Sequence, residues 1–312
     1  MAGPLRIGID LGGSKIAAIA LRHGKPTALP LRIATPRHDY DGAIAAIAGL
    51  VVRLEETHRE TGSVGVGMPG SLSPATGLVQ NANSTWLNGR PFGADLEARL
   101  GRPLRLANDA NCLALSEAFD GAGHGATTVF GVILGTGCGG GIVINARALA
   151  GRHAIAGEWG HNPLPWMTAD EHPGPSCWCG RLGCLETFVS GPALERQFAG
   201  KSGETLGAAA IAARAAGGDG TAIEVLDLHA GRLARGLAQV VNLIDPEVIV
   251  LGGGLSNLAH LYEALPRLMA PNIFADHPRP DIRPPRHGDI SGVRGAARLW
   301  DDEHWPAPPR SR

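Results

Sequence analysis

Two segments of this chain follow one plan. "LRIGID" (residues 5–10) reads as a buried strand, "LGGS" breaks it, and "KIAAIAL" resumes an apolar extended run. Further along, "TVFGVILGTGCGGGIVIN" (residues 128–145) repeats strand, glycine-rich turn, strand. A strand–turn–strand unit used twice points to two related α/β halves.

Glycine turns of this kind let backbone N–H groups come close to phosphate oxygens. The first turn offers Asp10 as a carboxylate for Mg²⁺, the backbone of Gly12 and Gly13, the Ser14 hydroxyl and the Lys15 cation. The second offers Gly135, Gly137, Gly139 and Gly140 with the Thr136 hydroxyl. "LGGG" (residues 251–254) closes a third strand, where Gly253 and Gly254 leave room for a flat adenine against the backbone. "GTGCGG" also matches the dinucleotide pattern G-x-G-x-x-G, with Glu158 near the place of an acidic ribose ligand. That reading needs a helix to open after the glycines, and the β-branched "GIVIN" follows instead. No G-x-x-x-x-G-K-[ST] is present, which excludes a P-loop.

Between the glycine turns, "GAIAAIAGLVVRLEETHRE" has helical apolar spacing, "VGVGMPG" reads as a strand into a turn, and "LRLAND" as a strand ending at Asn108 and Asp109. "ANCLALSEAFDGAG" then forms a helix, so Asp109 sits at a strand's C-terminal end, where open α/β sheets collect their sites. A helix start there favours an ionised carboxylate. Asp109 is therefore a candidate base, with a simple helix cap as the alternative. Residues 221–244 form a long amphipathic helix, and "DPEVIVLGGGLSN" a strand, a glycine turn and the approach to another helix. The tail after Trp300 is expected to lack order.

The chain's 312 residues allow about two domains, and a net charge of -1 argues against nucleic acid or an anionic membrane as partner. No secretory signal or membrane-length apolar run is evident, so a soluble cytoplasmic enzyme is expected. Five cysteines are present, three of them in "CWCGRLGC" as C-x-C-x₄-C. In a reducing compartment Cys177, Cys179 and Cys184 read as thiolate ligands of a closed structural zinc site. The fourth ligand is open among His153, His161 and His172; a redox group is the alternative.

"IGIDLGGSK", "LANDANC", "ILGTGCGGG", "GEWGH", "CWCGRLGCLE", "DPEVIVLGGG" and "RHGD" run from residue 7 to near the end in the order seen in the ROK family of bacterial sugar kinases. The chain resembles that family, and within it the fructokinase and manno(fructo)kinase branch, through "PGSLSPATGLVQNANSTWLNG" and "GEWGHNPLPWM". The resemblance implies an actin-like, hexokinase-type ATPase fold: two α/β domains, residues 1–116 and 117–290, with a cleft between them. A C-terminal helix within 291–302 would return to the first domain, and a zinc-binding insertion would lie near 157–186. It implies ATP-dependent phosphorylation of a hexose, fructose first, with mannose, glucose or N-acetylglucosamine as alternatives and a non-catalytic sugar-binding regulator as a further one. Asp109 matches the catalytic base, and Asn83, Asn108, Asp109, Glu158, His161 and Glu186 match the sugar ligands. His161 also matches the fourth zinc ligand, and the two glycine turns match the ATP-phosphate loops. Ser14 stands where threonine is usual. Cys112 and Cys138 match no ligand and read as packing residues. A homodimer is expected from the resemblance alone.

Overall fold

β-Branched and glycine-rich runs build two sheets in this computed structural model, which describes residues 3–301. The tail expected to lack order lies outside the described residues from residue 302 on. The first sheet comprises β1 (Arg6–Leu11), β2 (Lys15–Arg22), β3 (Lys25–Pro26), β4 (Leu31–Ala34) and β5 (Ser63–Met68). After a separate ribbon of β6 (Ser71–Leu72) and β7 (Val79–Gln80), it is completed by β8 (Leu104–Asn108). Its order is β3-β2-β1-β5-β8, with β4 also on β2. The second sheet comprises β9 (Thr128–Leu134), β10 (Cys138–Ile144), β11 (Arg147–Ala148), β12 (Val248–Gly252) and β13 (Ile282–Arg283), in the order β11-β10-β9-β12-β13.

The two sheets repeat one topology. β1 pairs antiparallel with β2 and parallel with β5. β9 pairs antiparallel with β10 and parallel with β12. Both glycine turns therefore close hairpins at matching places, as the sequence plan predicts.

Helices cover both sheets. α1 (Tyr40–His58) starts at Asp39, whose side chain accepts from the Gly42 N–H at 2.8 Å, and its Ile44, Ile47 and Val51 pack with Ile7, Ile9 and Val64. α2 (Phe92–Leu100) buries Phe92 and Leu96 in the same core. On the second sheet, α4 (Glu186–Val189), α5 (Gly191–Ser202), α6 (Ala208–Ala216), α7 (Gly220–Ile244) and α8 (His260–Met269) share a core with Phe130, Val132 and Leu251. Within 150–190 the chain is mostly turns and bends with short 3-10 segments, as its glycine and proline content predicts.

The two sheets meet through α3 (Asp109–Asp120) and α9 (Ser291–Arg298). α9 lies directly on β1 and β5: a Cβ added at Gly8 would overlap the Val293 carbonyl, and one at Gly65 the Ala296 carbonyl. α3 lies as closely on the second sheet, where Gly131 faces Ala114 and Gly141 faces the Ala110 carbonyl. Gly295 brings α9 onto the backbone of Cys112 in α3. The buried Glu117 carboxylate of α3 accepts from Ser291 Oγ at 2.7 Å and from the N–H groups of Arg286 and His287 at 2.9 and 3.1 Å. Asp120 accepts from Arg294 at 2.8 Å and Arg298 at 2.7 Å. The C-terminal helix thus returns to the first sheet.

In a free helix Gly→Ala stabilises by about 1 kcal/mol. At Gly295 the added methyl would strike the Cys112 carbonyl, which backbone cannot yield cheaply. Gly295→Ala is expected to lower unfolding free energy by about 1–3 kcal/mol, measured by urea denaturation; a gain would contradict this packing.

Candidate active site

Strand ends and glycine turns of both halves open onto one cleft of about 230 Å³. Its walls include Gly12 and Gly13 from the first hairpin and Thr136, Gly137 and Gly139 from the second. Asn83, Asn108, Asp109, Glu158, His161 and Glu186 all line it too. Every sugar-ligand position expected from the sequence is therefore brought to one place, from segments more than 100 residues apart.

Other expected positions lie off this wall. Asp10 is a half-buried group near the end of β1, while Ser14 and Lys15 stand exposed on the hairpin, with Lys15 Nζ 3.7 Å from Asp289. Gly135 shapes the second turn, donating its N–H to the Gly137 carbonyl at 3.0 Å. Gly140 lies within β10, where a Cβ would come 2.7 Å from both the Gly157 carbonyl and the Trp159 ring. Its place in the structure is a close-packing contact that seats the 157–159 segment. Gly253, at φ 81°, turns the chain after β12 against the Leu134 backbone, and Gly254 follows with open space around it.

Asn108 caps α3, accepting from the Ala110 N–H at 2.9 Å. Asp109 is thus the first helical residue rather than the cap, and its Oδ1 also accepts from Ala110 N at 2.8 Å. The helix start does not dominate its ionisation as the sequence predicts. Burial, and then the negative charge of Asp10, push Asp109 up to about 7. Burial likewise lifts Asp10 to about 6, against the pull of Lys15. Glu158 is raised by burial, partly offset by His161. Asp109 and Glu158 on the cleft wall, and Asp10 off it but close enough to raise Asp109, are carboxyls with unmet demand for positive charge or protons. Such a set fits a divalent cation and a proton-accepting role.

The cysteine segment folds beside this cleft. The ligand atoms of His161, Cys177, Cys179 and Cys184 lie within 4.8 Å of one another. Zinc bound at about 2.3 Å by sulfur and 2.0–2.1 Å by nitrogen sets tetrahedral edges of about 3.8 Å between sulfurs and 3.6 Å between sulfur and nitrogen. Cys179 and Cys184 Sγ are 3.6 Å apart, and Cys177 Sγ is 3.5 Å from His161 Nδ1. Burial and the neighbouring thiols push Cys184 up to about 12, so three thiolates here require a cation. The geometry selects His161; His153 and His172 are exposed and outside the group. Cys112 and Cys138 are buried in packing positions.

Glu186 is aimed by two donors. Cys138 N–H donates to its Oε2 at 2.9 Å, and the Trp178 indole N–H to its Oε1 at 2.8 Å. Trp178, Asn81 and Ile133 line the cleft and were not singled out from the sequence. For Trp178 a signal existed, since a bulky ring between two ligand cysteines has its backbone fixed on both sides. Among the described residues no helix is long and apolar enough to cross a membrane.

A family model described as the ROK family matches residues 6–303. An N-acetyl-D-glucosamine kinase of Pasteurella multocida is 38% identical over 95% of this chain and 99% of its own length. One of Pectobacterium atrosepticum is 40% identical over 94% and 97%. Among solved structures, a ROK hexokinase from Thermus thermophilus superposes with a TM-score of 0.82 at 32% identity, covering 94% of this chain and 96% of that one. A ROK family glucokinase from Streptomyces griseus, in complex with glucose and AMPPNP, gives 0.79 at 29% identity, covering 95% and 98%. The actin-like ATPase fold expected from the sequence is the fold of these neighbours.

Two measurements check this site. Stripping the metal with a chelator is expected to release about one zinc per chain and lower Tm; metal analysis finding none in freshly purified protein would remove the assignment. Asp109→Asn is expected to raise Tm at pH 8 and leave it nearly unchanged at pH 4. The folded carboxyl keeps its proton to about 7 while the unfolded one releases it near 3.8. Stability therefore falls as pH rises through that window, and the neutral amide escapes the loss. An equal Tm for both proteins at pH 8 would contradict the burial of this charge.

Proposed function

This chain belongs to the ROK family of sugar kinases, and from that premise we propose that it phosphorylates N-acetylglucosamine at its 6-hydroxyl with ATP. The observation that carries the kinase reading is the Asp109 carboxyl, half-buried at the head of α3 and facing both glycine hairpins across one cleft. A base held near pH 7 is matched to the operating pH. Asp109 takes the proton as the hydroxyl oxygen bonds to the γ-phosphorus, and the bond to the β-bridging oxygen breaks to release ADP. Asn83, Asn108, Glu158, His161 and Glu186 hold the other hydroxyls. Backbone of Gly12, Gly13, Thr136 and Gly137 cradles the phosphates. In this reading Asp10 is the carboxylate that would hold Mg²⁺, which would neutralise phosphate charge.

The sugar identity rests on the relatives, which carry the name N-acetyl-D-glucosamine kinase rather than fructokinase. The expectation of fructose, drawn from short motifs, gives way to them, because similarity over nearly the whole chain outweighs similarity over two segments. The zinc cluster belongs to the same reading as a scaffold: His161 uses Nδ1 toward Cys177 and keeps Nε2 for the sugar. A homodimer is part of it on the family resemblance alone, and a cytoplasmic location on the lack of an evident secretory signal or membrane span in the sequence.

ADP release measured with N-acetylglucosamine, glucose, mannose and fructose tests the proposal. The highest kcat/KM is expected for N-acetylglucosamine. A higher value for another hexose would replace the substrate, and no turnover on any hexose would sink the kinase reading.

A further inference from the structure

Trp178 lines the cleft beside Asn108, Asp109 and Glu158, and half of its surface, 50%, is left exposed. Its ring is held on several sides. The indole N–H donates to Glu186 Oε1 at 2.8 Å. The His161 ring meets it edge-to-face, with centroids 5.0 Å apart and an interplanar angle of 85°. Its two chain neighbours are Cys177 and Cys179, both in the tetrahedral group, and the Cys177 N–H is fixed to the Arg181 carbonyl at 2.8 Å.

We infer that Trp178 is a substrate-contacting residue, whose indole is a fixed apolar platform for the C–H face of the hexose. This rests on the reading that the cleft takes a hexose. Tryptophan has one donor and no acceptor, and here that donor is committed to Glu186. What remains for a ligand is ring surface. The other named walls, Asn83, Asn108, Glu158 and Glu186, are polar and serve hydroxyls. A sugar ring also has C–H surface, which gains from an apolar partner through dispersion and release of water. A ring already immobilised loses little conformational freedom when the ligand arrives. Leu11 and Pro69 also line the cleft but are buried, and Ile133 is half-buried, so the exposed indole is the apolar wall surface most open to that face.

The test compares Trp178→Phe, which keeps an aromatic face but loses the N–H, with Trp178→Ala, which loses both. Hexose affinity is measured calorimetrically without nucleotide, alongside steady-state kinetics and metal content. The Ala variant is expected to bind about tenfold more weakly or worse, a loss of about 1.4 kcal/mol. The affinity of the Phe variant should stay within about threefold of wild type, and the loss in Ala should show in KM more than in kcat. Wild-type tryptophan fluorescence should change on adding hexose, and that change should vanish in Trp178→Phe. An Ala variant within about twofold of wild type would overturn the inference. So would a Phe variant as weak as Ala, which would mean that Trp178 acts only by orienting Glu186. If the Ala variant loses its metal, the Phe variant and the fluorescence change decide, and a change that persists undiminished in Phe overturns the contact. Wild-type enzyme that binds a hexose without turning it over would sink the kinase reading and leave this contact standing. Normal turnover with an unaffected Ala variant would do the reverse.

Discussion

The close contact of α3 with α9 is the constraint on which the rest of the structure depends. Gly8 and Gly65 let α9 lie on the first sheet, Gly131 and Gly141 let α3 lie on the second, and Gly295 joins the two helices. Larger residues at these positions would push one sheet away from the other. Glu117 and Asp120 then hold the joint with charge-assisted hydrogen bonds, the stronger class. Since α3 begins at Asp109, the packing that joins the halves also sets where this carboxyl stands.

That placement carries a cost that the proposed function explains. Asp10, Asp109 and Glu158 are each pushed up by burial, and Asp109 is pushed further by Asp10. A fold selected for stability alone would not gather acids in this way. A site that binds a cation and accepts a proton needs such unmet demand. The cysteine cluster works differently. It gathers an otherwise irregular segment into one group of ligand atoms, with His161, Trp178 and Glu186 on the cleft wall.

Much of this was legible in the sequence because the determinants are local. The strand–glycine–strand plan announced both hairpins, and the tight C-x-C-x₄-C spacing announced the three cysteines that gather with His161. The expected sugar-ligand set came from the family resemblance, and all of those residues line the cleft. Long-range packing was not legible. Nothing near Glu117 announces that its carboxylate will bind residues 286, 287 and 291. Gly140 looks like its turn neighbours, yet its neighbourhood is the 157–159 segment. The ionisation of Asp109 was misread for the same reason: the helix start is visible in sequence, whereas burial beside Asp10 is a tertiary fact.

The central claim is that Asp109 is the base of the chemical step, beyond any share it has in holding the sugar. Measuring hexose Kd and kcat together for Asp109→Asn tests this most directly. The account predicts a Kd within a few-fold of wild type and a kcat lower by about 10²–10⁴. A variant that turns over at the native rate would contradict it.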